Sequence, residues 1–155
     1  MKPPRLVYLF FLGTIVCLLA AAPIWGQTSV MVANLSTQCD SLLGRTFHPD
    51  GQEALLQVNY EEKRVIPLLF YANMTYRIAF SCSPSGNRID FQLHDSDRNL
   101  IFDSRTCHYP LWWDFRFAST TSCRLTVHLV AEHEASTQPL YLMCRLGYYH
   151  DDQSN

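Results

Sequence analysis

Between Arg105 and Phe117 the chain reads RTCHYPLWWDFRF, and within it Cys107, His108 and Asp114 are residue types that hydrolases use. A thiolate at Cys107, with His108 as its base, could attack a carbonyl carbon. Sequence neighbours on an extended chain point to opposite faces, however, so adjacency alone does not bring these two side chains together. No thiol-protease signature surrounds Cys107, and the histidine would have to come from elsewhere. Asp114, beside Trp113, is the carboxylate to watch for glycoside hydrolysis, where separation from a second carboxyl group decides the outcome. The plainer reading makes it a surface aspartate facing Arg116 or Arg105. Tyr109 and Trp112 are candidates of another kind: exposed aromatic side chains that stack on sugars or fill a partner's pocket. The structural alternative is a loop over 106–111, turned by Pro110, feeding an aromatic core strand with Trp113 inward and Trp112 outward.

The stretch DSDRNLIFD places Asp95, Asp97 and Asn99 at alternating positions, with Asp103 nearby, as in half of a calcium loop. An EF-hand would continue with glycine where Leu100 stands and glutamate where Thr106 stands. The stretch therefore reads first as an acidic turn, in which Asp and Asn bond their own backbone. His128 and His133 do not form H-E-x-x-H, and no G-x-S-x-G or phosphate-binding glycine loop occurs. No catalytic residue, metal or cofactor is assigned from the sequence. Asn34-Leu35-Ser36 and Asn73-Met74-Thr75 fit the N-glycosylation pattern, which matters only in a eukaryotic source.

The elements that position these residues follow a leader. Lys2 and Arg5 precede the apolar run Leu6 to Ala22, and Pro23 and Gly26 follow it, the build of a secretory signal peptide cleaved after Gly26. Its seventeen apolar residues are at the bottom of the range for a membrane anchor, so no span is expected after cleavage. The sequence points to a secreted, periplasmic or cell-envelope protein. Residues 27–155 hold all fourteen acids and ten of the twelve bases, a net charge of −4. With no basic run, nucleic acid is a poor partner. The bases are nearly all arginine, scattered singly along the strands, and read as a solvated face. Cys39, Cys82, Cys107, Cys123 and Cys144 remain after the leader, spaced 43, 25, 16 and 21 residues apart without a zinc knuckle. In an exported chain disulfides are the default.

From about Leu55 the sequence alternates with period two, the mark of antiparallel strands with one face buried. Tyr76, Ile78 and Phe80 share one parity, as do Ile89, Phe91 and Leu93, then Phe115 and Phe117, then Leu125, Val127 and Leu129, then Leu140 and Leu142. These residues, with Phe102, form the expected core. Earlier strands are expected at 55–60 and 65–71, turns at Ser83 to Asn87 and Asp95 to Asn99, and a left-handed residue at Asn73. Residues 27–50 are less regular and read as an extended or short helical lead-in, and 150–155 as a polar tail. If the strands at 123–131 and 136–148 form a hairpin with its loop at 132–135, Cys123 lies opposite Cys144. That pairing is the first expected disulfide, Cys39–Cys82 the second, with Cys107 left over.

The pieces VIPLLFYANMTYRIAFSC, IDFQLHDSDRNLIFDS and DFRFASTTSCRLTVHL resemble bacterial pre-peptidase C-terminal-type jelly rolls. They are similar also to small, mostly uncharacterised secreted proteins of Bacteroidetes with the same order of elements. The resemblance covers roughly Leu55 to Tyr149 and carries strand and turn patterns, not chemistry. It implies an all-β, antiparallel β-sandwich of jelly-roll type over 51–149, of a kind that serves as a non-catalytic module. The function expected is binding or structural association with an envelope protein or a glycan. The alternatives are a small secreted hydrolase using carboxylates or Cys107, and a carbohydrate-binding module.

Overall fold

A computed structural model of the chain describes residues 25–130 and 139–150. The leader up to residue 24, the segment 131–138 with the loop expected there, and the tail beyond His150 lie outside the described residues. Eight strands follow a helix: α1 (Trp25–Leu43), β1 (His48–Val58), β2 (Arg64–Phe70), β3 (Met74–Ser83), β4 (Arg88–Asp95), β5 (Leu100–Asp103), β6 (Trp112–Arg116), β7 (Thr121–Val130) and β8 (Leu140–His150). The chain divides into two compact units, Met1–Val32 and Ala33–Asn155, and everything below concerns the second.

The strands form two four-stranded antiparallel sheets, ordered β1-β8-β3-β6 and β2-β7-β4-β5. Successive strands alternate between the sheets everywhere except at the β4–β5 hairpin. That is the strand order of a jelly roll, and it gives an all-β sandwich. The inward faces are the period-two residues of the sequence: Tyr76, Ile78, Phe80, Ile89, Phe91, Leu93, Phe115, Leu125, Val127, Leu129, Leu140 and Leu142 are all buried. Phe102 and Phe117 are half-buried and pack against that core. An aromatic seam joins the sheets. Phe80 meets Phe91 with ring centroids 4.6 Å apart, Phe91 meets Phe102 at 5.3 Å, and Phe102 meets Trp113 at 4.6 Å. Asn73 holds φ 62° in the β2–β3 turn, and its N–H donates to the Phe117 carbonyl.

The two expected disulfides are absent, each for its own reason. β7 and β8 are not a hairpin: β7 lies between β2 and β4, whereas β8 lies between β1 and β3 in the other sheet. Cys123 therefore sits opposite Leu68 and Asp95, and Cys144 opposite Ala54 and Phe80. Cys39 comes from the helix and lies 3.2 Å from the Ser81 hydroxyl, away from Cys82, whose strand partner is Leu142. All five are free thiols, and neither Cys123–Cys144 nor Cys39–Cys82 forms.

Of the two forms expected for the lead-in, the chain takes the helical one first and then an earlier strand. Residues 33–43 are helical, and β1 begins at His48, seven residues before the expected strand. A register shift between Pro49 and Glu53 hides its alternation. Leu35, Cys39 and Leu43, each four residues apart and therefore on one helix face, are buried. They pack on the outer face of the first sheet, where β3 and β8 present Ala79, Ser81 and Gly147. Ser81 donates to the Leu35 carbonyl at 2.9 Å. Gly44 ends the helix at φ 69°, its N–H bonded to the Asp40 carbonyl. At Gly147 a β-carbon would stand 3.0 Å from a Leu43 methyl, 3.2 Å from Phe47 Cβ and 3.3 Å from the His48 carbonyl oxygen. Only glycine lets the helix end and its following turn lie this close.

Two arginines on that face, Arg77 and Arg145, are covered rather than solvated. Arg145, with its side chain 15% exposed, forks onto Glu53 of β1 at 2.7 and 3.0 Å and bonds Asp40 of the helix. Arg77 bonds both oxygens of Asp114 and the Leu42 carbonyl, and its guanidinium lies between the rings of Phe47 and Trp112, 4.3 and 4.0 Å from their centroids.

Gly147→Val drives a branched side chain into the helix turn, so chemical denaturation of that variant should show a loss of about 1–3 kcal/mol; unchanged stability would contradict the close approach. Alkylation of the native protein followed by peptide mapping should label Cys107 first, with Cys39, Cys82, Cys123 and Cys144 modified only on unfolding. A recovered Cys123–Cys144 cross-link would contradict the free-thiol state of both residues.

Candidate functional site

The segment from Asp103 to Trp112 is built tightly. Asp103 caps a short 3-10 turn, Ser104–Cys107, by accepting from the Arg105 N–H. Ser104 is fully buried, and its hydroxyl accepts the Phe91 N–H at 2.9 Å. The turn ends in two consecutive left-handed residues, His108 at φ 58° and Tyr109 at φ 55°. Non-glycine residues held there carry backbone strain, which is stored where the surroundings over-determine the conformation. The Tyr109 N–H returns to the Ser104 carbonyl at 3.0 Å, and the Leu111 carbonyl accepts the Phe80 N–H at 2.9 Å. The segment is thus pinned to β4 at one end and β3 at the other.

This arrangement aims His108, Tyr109 and Leu111 into a cleft of about 510 Å³ at the end of the sandwich where β3 passes into β4. Gln38, Ser41 and Leu42 of the helix form one wall, Ser85 to Asn87 of the β3–β4 turn another, and Phe80, Cys82 and Ile89 the floor. The volume falls in the range of about 300–1,000 Å³ typical of ligand pockets. Arg88 stands over the Tyr109 ring at 4.3 Å from its centroid, and its Nε bonds Asp90 at 3.2 Å. In the turn, the Asn87 side chain donates to the Pro84 carbonyl and accepts from the Tyr60 hydroxyl, both at 2.9 Å. The sequence allows a short helix here but not its docking as a wall, which the four-residue spacing of Leu35, Cys39 and Leu43 signals.

The two aromatic candidates part company here. Tyr109 lines the cleft, whereas Trp112 lies on the outer face of β6, stacked on Arg77 and 41% exposed. Asp114 is a surface aspartate, as expected, and the arginine that holds both its oxygens is Arg77, its strand partner. Cys107 Sγ lies 3.6 Å from the Thr106 hydroxyl, its hydrogen-bond neighbour among the described residues. Burial pushes the Cys82 thiol up and the Cys123 thiol up to about 11, and raises Cys39 and Cys144 too. Protonated thiols are weak nucleophiles.

Three of the calcium candidates, Asp95, Asn99 and Asp103, are engaged elsewhere. Both Asp95 oxygens accept from Asn99, from its N–H and from its side-chain amide, each at 2.8 Å, closing the β4–β5 turn on itself. Asp103 accepts from Arg105 and, at 2.8 Å, from Gln92. Among the described residues no three potential metal ligands converge. On the outer face of the second sheet His128 lies 3.7 Å from Asp90 and 3.8 Å from Glu61. At the far end of the sandwich a cleft of about 630 Å³ holds Tyr71, Tyr76, Tyr148 and Met74. Its polar members Asp50 and Gln52 are bonded to each other and to the Leu69 backbone.

Comparison with known proteins found no protein-family model that matches the chain and no match among curated proteins.

The Arg105 side chain beside Asp103 holds that carboxyl well below the usual range. A carboxyl depressed in the folded state stabilises the fold above its unfolded value, near 4, and that contribution is lost as pH falls toward the folded value. The stability difference between wild type and Asp103→Asn should therefore shrink between about pH 5 and pH 2 in denaturation curves. A difference that does not change over that interval would contradict the assignment.

Proposed function

We propose that this chain is an exported, non-catalytic jelly-roll protein that acts by binding, at the cell envelope or outside the cell, with an envelope protein or a glycan as its partner. The observation that carries the reading is the strained, doubly pinned turn that fixes His108 and Tyr109 in the mouth of a cleft. Strain of this kind holds a recognition surface in place before the partner arrives, which lowers the ordering cost of binding. The leader composition supports export, and the likeness of the strand and turn pattern to pre-peptidase C-terminal-type jelly rolls supports a non-catalytic module.

The hydrolase alternative finds less support. Both Asp114 oxygens are held by Arg77, and Cys107 has a threonine hydroxyl beside it where a general base would be needed. Trp112, stacked on Arg77 outside the cleft, is a weaker binding candidate than Tyr109.

A screen of glycans, envelope proteins and small molecules, read by amide chemical shifts of the full chain, tests the reading. A binder should move the amides of 85–89 and 108–111, and Tyr109→Ala should weaken it about tenfold or more with the fold intact. Binders that leave those amides unmoved, or substrate turnover that vanishes in Cys107→Ala, would refute it.

A further inference from the structure

The charge of the cleft is opposite in sense to that of the chain. The protein as a whole is acidic, with fourteen acids against twelve bases, yet no aspartate or glutamate lines this cleft among the described residues. Its cationic side chain is Arg88, with His108 also in the lining as a second donor. Arg88 is oriented from two sides: Nε is held by the buried Asp90, and the guanidinium plane is supported on Tyr109. Its two terminal amino nitrogens have no hydrogen-bond partner among the described residues. An arginine fork fixed in this way matches the two oxygens of a carboxylate. Behind it the cleft turns apolar, with Phe80, Ile89 and Cys82 as floor and Leu42 and Leu111 on the sides.

We infer that the cleft binds an amphiphilic carboxylate, an apolar body whose terminal carboxylate is taken by Arg88. The inference rests on the binding role proposed above and names its ligand class. That chemistry is shared by a free acyl chain and by the apolar C-terminus of a polypeptide. Asp90 offsets part of the Arg88 charge, so discrimination comes from paired hydrogen bonds more than from net charge. The preference over a neutral head group should accordingly be about tenfold, the scale of one well-placed charged hydrogen bond.

The test titrates the full chain, followed by amide chemical shifts, with two matched pairs of probes. One is decanoate against 1-decanol; the other is acetyl-Ala-Val-Leu with a free against an amidated C-terminus. In at least one pair the carboxylate should bind about tenfold more tightly, moving the amides of Ile89, His108 and Leu111, and the pair that does so identifies the source. Arg88→Gln should remove that preference, bringing the carboxylate's affinity down to that of its neutral partner. If that variant does not fold, Ser85→Asp, an exposed change at the rim, should weaken only the carboxylate, by severalfold. Equal affinity within both pairs, with the cleft amides still moving, would overturn the ligand class and spare the cleft as a binding site. No movement of those amides with any of the four probes would overturn the inference, and the screen above decides separately whether the cleft binds at all.

Discussion

The close approach of a helix to one face of the sandwich is the constraint on which the site depends. Gly147 leaves room for it, Ala79 and Ser81 continue the shallow strip, and Leu35, Cys39 and Leu43 fill it. Burying each of those leucines contributes about 2 kcal/mol. The ion pairs of Arg145 with Asp40 and Glu53 contribute less, because both carboxylates are more than half exposed. Apolar burial thus supplies the attraction, and the two arginines fix where along the sheet the helix rests. Without the helix, the cleft would lose the wall formed by Gln38, Ser41 and Leu42, and Arg77 would lose its bond to the helix end.

The two sheets hold the opposite side of the same cleft by different means. The aromatic seam from Phe80 through Phe91 and Phe102 to Trp113 ties β3, β4, β5 and β6 together across the sandwich. The chain crosses from β5 back to the first sheet through the pinned turn at Ser104–Cys107. The strain at His108 and Tyr109 is a local cost that the buried Ser104 bonds and the Phe80–Leu111 bond offset. A rigid core beneath and a strained loop above is the arrangement that keeps side chains pre-positioned for contact.

Much of this was legible because period two in sequence is period two in space. The alternation of Tyr76, Ile78 and Phe80, or of Leu125, Val127 and Leu129, named the inner faces directly. Asn73 announced its left-handed turn. What was hidden were relations between elements. The Cys123–Cys144 pairing takes β7 and β8 as hairpin neighbours, an adjacency that a jelly roll violates at nearly every connection. Alternation also led to the view that the second face meets water. Ala79 and Ser81, small and uncharged where a solvated strand would place charges, were the signal that something covers them. Arg77 and Arg145 looked solvated singly, since their partners Asp114, Asp40 and Glu53 lie 37 to 105 residues away. Asp95 and Asp103 resembled ligands by spacing, yet their lone pairs are engaged by Asn99, Arg105 and Gln92.

Native-state hydrogen exchange of the full chain measures the central claim, that residues 35–43 are packed on the sheet as part of one structure. The amides of Cys39 to Leu43 should exchange with protection comparable to those at the centre of β3 and β8, since releasing them requires exposing Leu35, Leu43 and Gly147 together. Exchange of those helix amides at the rate of an unprotected peptide, while β3 and β8 remain protected, would contradict it.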